Sequence, residues 1–144
     1  MLRLVFAWFL AFLVFTPAWV ECAPQHDHAS HQPDRMGTVH LDTSCGSEVR
    51  DEFDLAVATL HSFGYRKSEQ LFAHVLSTDP SCSMAEWGIA MSHYHQLWNP
   101  PANDDIRIGL EAAQEGLSMG SKTQRERDYL AAIEAFYQLS LIHI

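Results

Sequence analysis

From Ser47 onward, apolar residues recur at steps of three and four positions, which is the spacing of one face of an α-helix. The first stretch places five such residues on one face, namely Val49, Phe53, Ala56, Val57 and Leu60. A second stretch repeats the spacing with Ser68, Leu71, Phe72, Val75 and Leu76. No stretch alternates apolar and polar residues as a half-buried strand does. The pattern therefore predicts an all-α fold with short connections.

Residues that end helices follow the first two stretches. Gly64 is expected to end the first helix in a left-handed conformation. Asp79-Pro80 is expected to stop the second helix, because the residue before a proline disfavours helical geometry. The two helices and the tight turn between them form a predicted hairpin.

Three further helices are predicted from their start signals. Ser83 and Glu86 have the spacing of a Ser-x-x-Glu capping box at the start of a third helix, and Thr123 and Glu126 have the same spacing at the start of a fifth. A fourth helix is expected from about Asp104, with Gly120 closing it.

The chain also repeats itself at one constant offset. Phe53, Ala56, Leu60 and His61 align in this way with Trp87, Ala90, Tyr94 and His95. A period of about 34 residues that spans a helix pair is typical of tetratricopeptide (TPR) repeats. Because the two capping boxes lie further apart than this period, the second repeat is expected to carry an insertion, most simply in LWNPPAND.

Four segments together resemble a group of exported bacterial TPR proteins of unassigned activity. They are TSC, VATLHSFGY, DPSCSMAEWGIAMSHYHQLW and TQRERDYLAAIEAFY, within residues 37–138. Ser83 and Glu86 depart from the alanine and the apolar residue expected there. The resemblance implies a helical-repeat solenoid over 44–138, with two hairpins and the first helix of a third, and a binding role without catalytic residues.

In TPR folds the first helix of each pair lines a concave groove. The resemblance places an apolar, aromatic and methionine-rich set there, namely Phe53, Val57, Leu60, His61, Met84, Trp87, Met91, Tyr94 and His95. Such a surface suits an apolar or amphipathic helix of a protein or peptide partner. The alternative is that these side chains pack against later helices of the same protein.

The segment from Met1 to Ala23 has the architecture of a secretory signal peptide. One early arginine is followed by an unbroken apolar run from Leu4 to Phe15 and then by small residues, with cleavage expected after Ala18 or Ala23. An uncleaved anchor from Leu4 to Val20 remains an alternative at the short limit of a spanning helix. The interpretation predicts export to the periplasm or beyond, with membrane contact only through this segment.

Residues 24–43 read as a disordered, histidine-rich linker, because the segment is polar and has no apolar periodicity. His26, His28 and His31 could chelate zinc, copper or nickel weakly. Together with His61 and His95 they support an alternative function, a periplasmic protein that handles transition metals. Otherwise no cofactor is expected.

Export changes how the cysteines are interpreted. Cys45 and Cys82 would lie in a compartment that permits disulfides. A bond between them would contribute about 3–4 kcal/mol on the chain-entropy model. The alternative is that both are unpaired small apolar residues. Cys22 either leaves with the signal peptide or remains as an odd thiol.

Charge and motifs exclude other classes. A net charge of −9, with nine scattered lysines and arginines, argues against nucleic-acid binding. The chain has no phosphate-binding loop, nucleophile elbow or HExxH, so an enzyme is not predicted. The sequence also stops near the end of a third repeat's first helix. It is therefore expected to be the N-terminal part of a longer protein, with residues 139–144 as a non-native tail.

Overall fold

The computed structural model describes residues 37–95 and 99–142. A short 3-10 helix at Ser47–Val49 leads into α1 (Arg50–His61), and four helices follow: α2 (Tyr65–Thr78), α3 (Ser83–Tyr94), α4 (Asn103–Ser118) and α5 (Gln124–Ile142). The described residues contain helices and no strands, which confirms the all-α prediction. None of these helices is long and apolar enough to cross a membrane. The predicted signal peptide lies outside the described residues.

Each helix packs against the next along the chain, and α3 also contacts both α1 and α5. Phe53 of α1 meets Phe72 of α2 edge to face, with ring centroids 5.3 Å apart. The hydroxyl of Tyr137 in α5 donates to the carbonyl of Ala90 in α3 at 2.6 Å. The Tyr137 ring lies against Gly109 of α4, where a Cβ atom would overlap it. Side chains from all five helices thus share one core.

The turn between α1 and α2 differs from its prediction. Gly64 has φ −84°, and the left-handed residue is Phe63, with φ 62°. Gly64 is needed for space instead, because a Cβ atom there would come within 2.8 Å of Cγ2 of Thr59. The prediction that α2 stops before Asp79-Pro80 is confirmed, since the helix ends at Thr78.

The two predicted capping boxes have opposite outcomes. At α5 the backbone N–H of Glu126 donates to Oγ1 of Thr123, and the N–H of Thr123 donates to Oε2 of Glu126, so this box is confirmed. At α3 the Ser83 box is wrong. Ser83 is the first residue of the helix, and its hydroxyl pairs with that of Ser121 at 2.8 Å instead.

The end of α4 agrees with its prediction. The helix runs one residue earlier than expected at its start, and it closes before Gly120, whose φ is 75°. At the other end of the molecule α5 continues through Ile142, so the segment predicted as a non-native tail begins inside a helix. The origin of that segment stays a prediction.

Candidate functional site

Residues 37–46, here called the strap, are fastened at one end to the helices that follow. Cys45 forms a disulfide with Cys82 at the start of α3, with the two Cα atoms 4.6 Å apart. The N–H of Gly46 donates to the carboxylate of Asp79 at 2.7 Å. Hydrogen bonds from Gly46 and Ser81 outweigh the opposing effect of burial and lower the pKa of Asp79. The sequence left open whether Cys45 and Cys82 are paired, and the structure shows that they form a disulfide.

The strap also joins α1 to α5. His40 and the N–H of Leu41 bond the carboxylate of Asp54 in α1. Arg125 in α5 donates to the carbonyl of Asp42. Residues 37–43 belong to the linker that the sequence predicts, yet Val39 and Leu41 pack against the core. Both α1 and α5 contact α3, so the strap connects the two helices that flank α3.

One face of α3 becomes more exposed along its length. Met84, in the first turn beside the disulfide, is 1% exposed and Trp87 is 8% exposed. Met91 is half-buried, and Tyr94 in the last turn is 40% exposed. The covered end is the end to which the strap is attached, and the open end presents aromatic and thioether surface.

Two ring pairs join this face to α5. Trp87 lies 5.7 Å from Tyr129 and Tyr94 lies 4.5 Å from Phe136, measured between ring centroids. We call these four rings the aromatic ladder. Both pairs repeat after seven residues, which is two helical turns, so the two rungs stand one above the other. Tyr129, like Tyr94, is 40% exposed.

The remaining residues of the predicted groove divide by burial. Phe53, Val57 and Leu60 lie in the core at 1–5% exposure. His61 is exposed, and His95 is half-buried with its ring 5.1 Å from that of Tyr65. Of the nine residues predicted to line a groove, four therefore keep exposed surface, namely His61, Met91, Tyr94 and His95, and the groove itself stays a prediction.

Sequence reasoning missed Tyr129 and Phe136, the α5 half of the ladder. The signal was present, because these two rings stand seven residues apart, as Trp87 and Tyr94 do. Seven-residue spacing on two helices that face each other places matching rows side by side.

His93 occupies a second polar cluster, between α2, α3 and α4. His93 is 9% exposed, and its Nδ1 atom lies 2.9 Å from Oδ1 of Asp105. Burial opposes ionisation of Asp105, but hydrogen bonds from His93 and from the N–H of Ala102 outweigh it and lower the pKa of this carboxyl. Nε2 lies 3.3 Å from Oε1 of Glu69, yet it has no hydrogen-bond partner.

Metal ligands in the described residues are few. The histidines His26, His28 and His31 lie outside those residues, and metal binding by them stays a prediction. In the part of the chain that the structure describes, three donors converge only at Cys45, Asp79 and Cys82. Because the two sulfurs are bonded to each other, they offer no thiolate to a metal ion while the disulfide is intact.

Comparisons with known proteins give no identification: no family model, no curated protein and no solved structure matches this chain.

Proposed function

We propose that the protein is an exported TPR-like scaffold that binds a protein or peptide partner through the exposed side of the aromatic ladder. The observation that carries the proposal is the pair of ring contacts between α3 and α5, with Tyr94 and Tyr129 each 40% exposed. Aromatic rings on a rigid support are favoured as binding anchors, because they give a large contact area at low entropic cost.

The order of the helices supports the repeat interpretation. α1, α3 and α5 are the first helices of successive hairpins in that scheme, and α3 contacts both of the others. The repeat offset that relates Phe53 to Trp87 brings these residues to corresponding places on α1 and α3. The Cys45–Cys82 disulfide supports export, since such bonds persist in oxidising compartments.

The partner that fits this surface is an amphipathic helix. Met91 lies between the two rungs along α3, and a half-buried methionine adapts its shape to apolar side chains. A helix supplies such side chains at positions i, i+3, i+4 and i+7, at the same spacing as the rungs.

Selection of peptides from a displayed library of amphipathic helices tests the proposal. Enriched peptides are titrated against the protein and against Tyr94→Ala and Tyr129→Ala. We expect each change to weaken binding about tenfold or more, since removing a central aromatic anchor costs roughly 2 kcal/mol or more.

Phe63→Ala is the matched control. Phe63 is also an exposed aromatic residue, at 62%, but it lies in the turn between α1 and α2 and outside the ladder. Its replacement is expected to leave the affinity unchanged. Equal affinity for the two tyrosine variants and the parent protein would place recognition elsewhere.

A further inference from the structure

His40 of the strap lies between two carboxylates, one at each nitrogen of its ring. Nδ1 is 3.0 Å from Oδ2 of Asp54 in α1, and Nε2 is 2.9 Å from Oδ1 of Asp42 in the strap itself. An ionised carboxylate only accepts hydrogen bonds, so both ring nitrogens must donate if both contacts are hydrogen bonds. Only the protonated imidazole has two N–H groups. The geometry therefore fits a charged His40 that bridges the strap and α1.

The charges around His40 favour the same state. Hydrogen bonds to Asp54 and to Asp42, and then the attraction of their charges, raise the pKa of His40 above its ordinary value of 6.5. Asp51, also on α1, lines the cleft between the strap and α1 together with Asp54. Arg125 of α5 bonds the carbonyl of Asp42 and not its carboxylate. The positive charge that lies between Asp42 and Asp54 is thus that of the His40 ring.

Loss of the ring proton turns this attractive contact into a repulsive one. A neutral ring has one N–H for two carboxylates, so one of them then faces a lone pair. The negative charges of Asp42 on the strap and Asp54 on α1 repel each other once no cation lies between them. The N–H of Leu41 still donates to Asp54, and Val39 still packs against the core. The attachment of this end of the strap is therefore weakened, and the end opens more often.

The disulfide decides which part of the strap responds. Cys45 is covalently bonded to Cys82, so the C-terminal end of the strap stays in place. His40 lies nearer the N-terminal end, which no covalent bond ties to the helices in the described residues. Opening of that end exposes the side of α1 that it covers, where Leu55 and Ala58 line the cleft with the strap.

We propose that the imidazolium of His40 is a pH-sensitive latch, which holds the N-terminal end of the strap on α1 while it is charged and releases this end when the ring loses its proton. The latch does not depend on what binds the aromatic ladder.

The latch and the Glu126 anchor respond to pH in opposite directions. Because the folded pKa of His40 is raised, its contribution is fully present below pH 6.5 and is lost as the pH rises through the folded pKa. The pKa of Glu126 is lowered from 4.5, so its bonds to Ser44 are lost as the pH falls through that lowered value. Both attachments of the strap are therefore complete between pH 4.5 and pH 6.5.

NMR titration of the parent protein from pH 5 to pH 9 tests the latch. The ring resonances of His40 give its pKa, which we expect above 6.5. Amide hydrogen exchange, corrected for the intrinsic effect of pH on its rate, should show that protection of the Leu41 N–H falls with the same midpoint. The expected fall is about two- to fivefold, the range that exposed ion pairs give. The N–H of Ser44, bonded to Glu126, is the internal control and should keep its protection.

His40→Gln separates the latch from other effects of pH. Glutamine stays uncharged, so the protection of Leu41 in this variant should be low throughout and should not change across the range in which His40 titrates. His74→Gln is the matched control, because His74 also pairs with a carboxylate, that of Glu52, but joins α2 to α1. It should keep the pH dependence of the parent protein.

A pKa of His40 at or below 6.5 in the parent protein would overturn the proposal, and this result does not depend on any variant folding. So would protection of Leu41 that stays constant while His40 titrates, or a fall in that protection that persists in His40→Gln.

Discussion

Glu126 accepts a hydrogen bond from the backbone N–H of Ser44 at 2.5 Å and another from the Ser44 hydroxyl at 2.8 Å, across 82 residues of chain. The same carboxylate completes the capping box of α5 with Thr123. One side chain therefore both starts the last helix and holds the strap. Glu126 is 1% exposed, so its carboxylate is largely shielded from water.

Replacing Glu126 with glutamine should destabilise the protein. Glutamine keeps the shape of the side chain but removes its negative charge. It also replaces one acceptor oxygen with an amide N–H donor, which would face the N–H and O–H donors that the carboxylate now binds. Hydrogen bonds to a charged group contribute about 1.5–3 kcal/mol, so we expect urea unfolding to show a free energy of unfolding that is lower by an amount in that range. Glu134→Gln, on the same helix and bonded at its surface to Gln138, is the control and should change little. An unchanged unfolding midpoint for Glu126→Gln would contradict this role.

The same carboxylate predicts how stability depends on pH. Burial works to raise the pKa of Glu126, but hydrogen bonds from Ser44 and Thr123 outweigh it and lower the pKa below the ordinary value of 4.5. Because the folded pKa is depressed, this contribution is fully present above that value and is lost as the pH falls through the folded pKa. Urea unfolding between pH 7 and pH 3 should show the loss. Glu126→Gln should have a shallower slope, and an identical slope would contradict the assignment.

Removing the disulfide should loosen the strap without unfolding the helices. The double variant Cys45→Ala, Cys82→Ala loses about 4 kcal/mol on the chain-entropy model, given the sequence separation of 37 between the two cysteines. Amide hydrogen exchange should quicken most at Leu41 and Ser44, whose N–H groups bond to Asp54 and Glu126. Amides in the middle of α2 report the loss of global stability, because the most protected core amides exchange through global unfolding, and unchanged exchange at Leu41 and Ser44 would contradict the role of the disulfide.

Gly109→Ala tests the close packing of α4 against α5. A Cβ atom at this position would overlap the ring of Tyr137, whose residue is fully buried. Overpacking of this kind costs about 1–3 kcal/mol, so we expect a lower melting temperature despite the better helix propensity of alanine. Gln114→Ala, at an exposed position on the same helix, is the control. A melting temperature at or above that of the parent would contradict the packing.

The features that the sequence predicted well are local. Apolar spacing located the helices because one face of each must be buried, and the cap of Thr123 and Glu126 formed because its partners stand three residues apart. The Ser83 cap failed because a residue far along the chain, Ser121, takes its hydroxyl.

The site was predicted only in part, for the same reason. Trp87, Met91 and Tyr94 were placed on one face by their spacing in α3. The cover over the first turn of α3 depends on contacts such as that of Ser44 with Glu126, which no local pattern indicates. The partners of His93 likewise lie on two other helices, Asp105 on α4 and Glu69 on α2.

The most direct test of the central claim is a chemical-shift map of the peptide-bound state. The ¹⁵N-labelled protein is titrated with a peptide selected from the amphipathic-helix library. We predict that the largest changes fall on the indole N–H of Trp87 and on the amides around Met91, Tyr94 and Phe136. Shifts confined to the outer faces of α2 and α4, with the Trp87 indole unmoved, would contradict binding at the aromatic ladder.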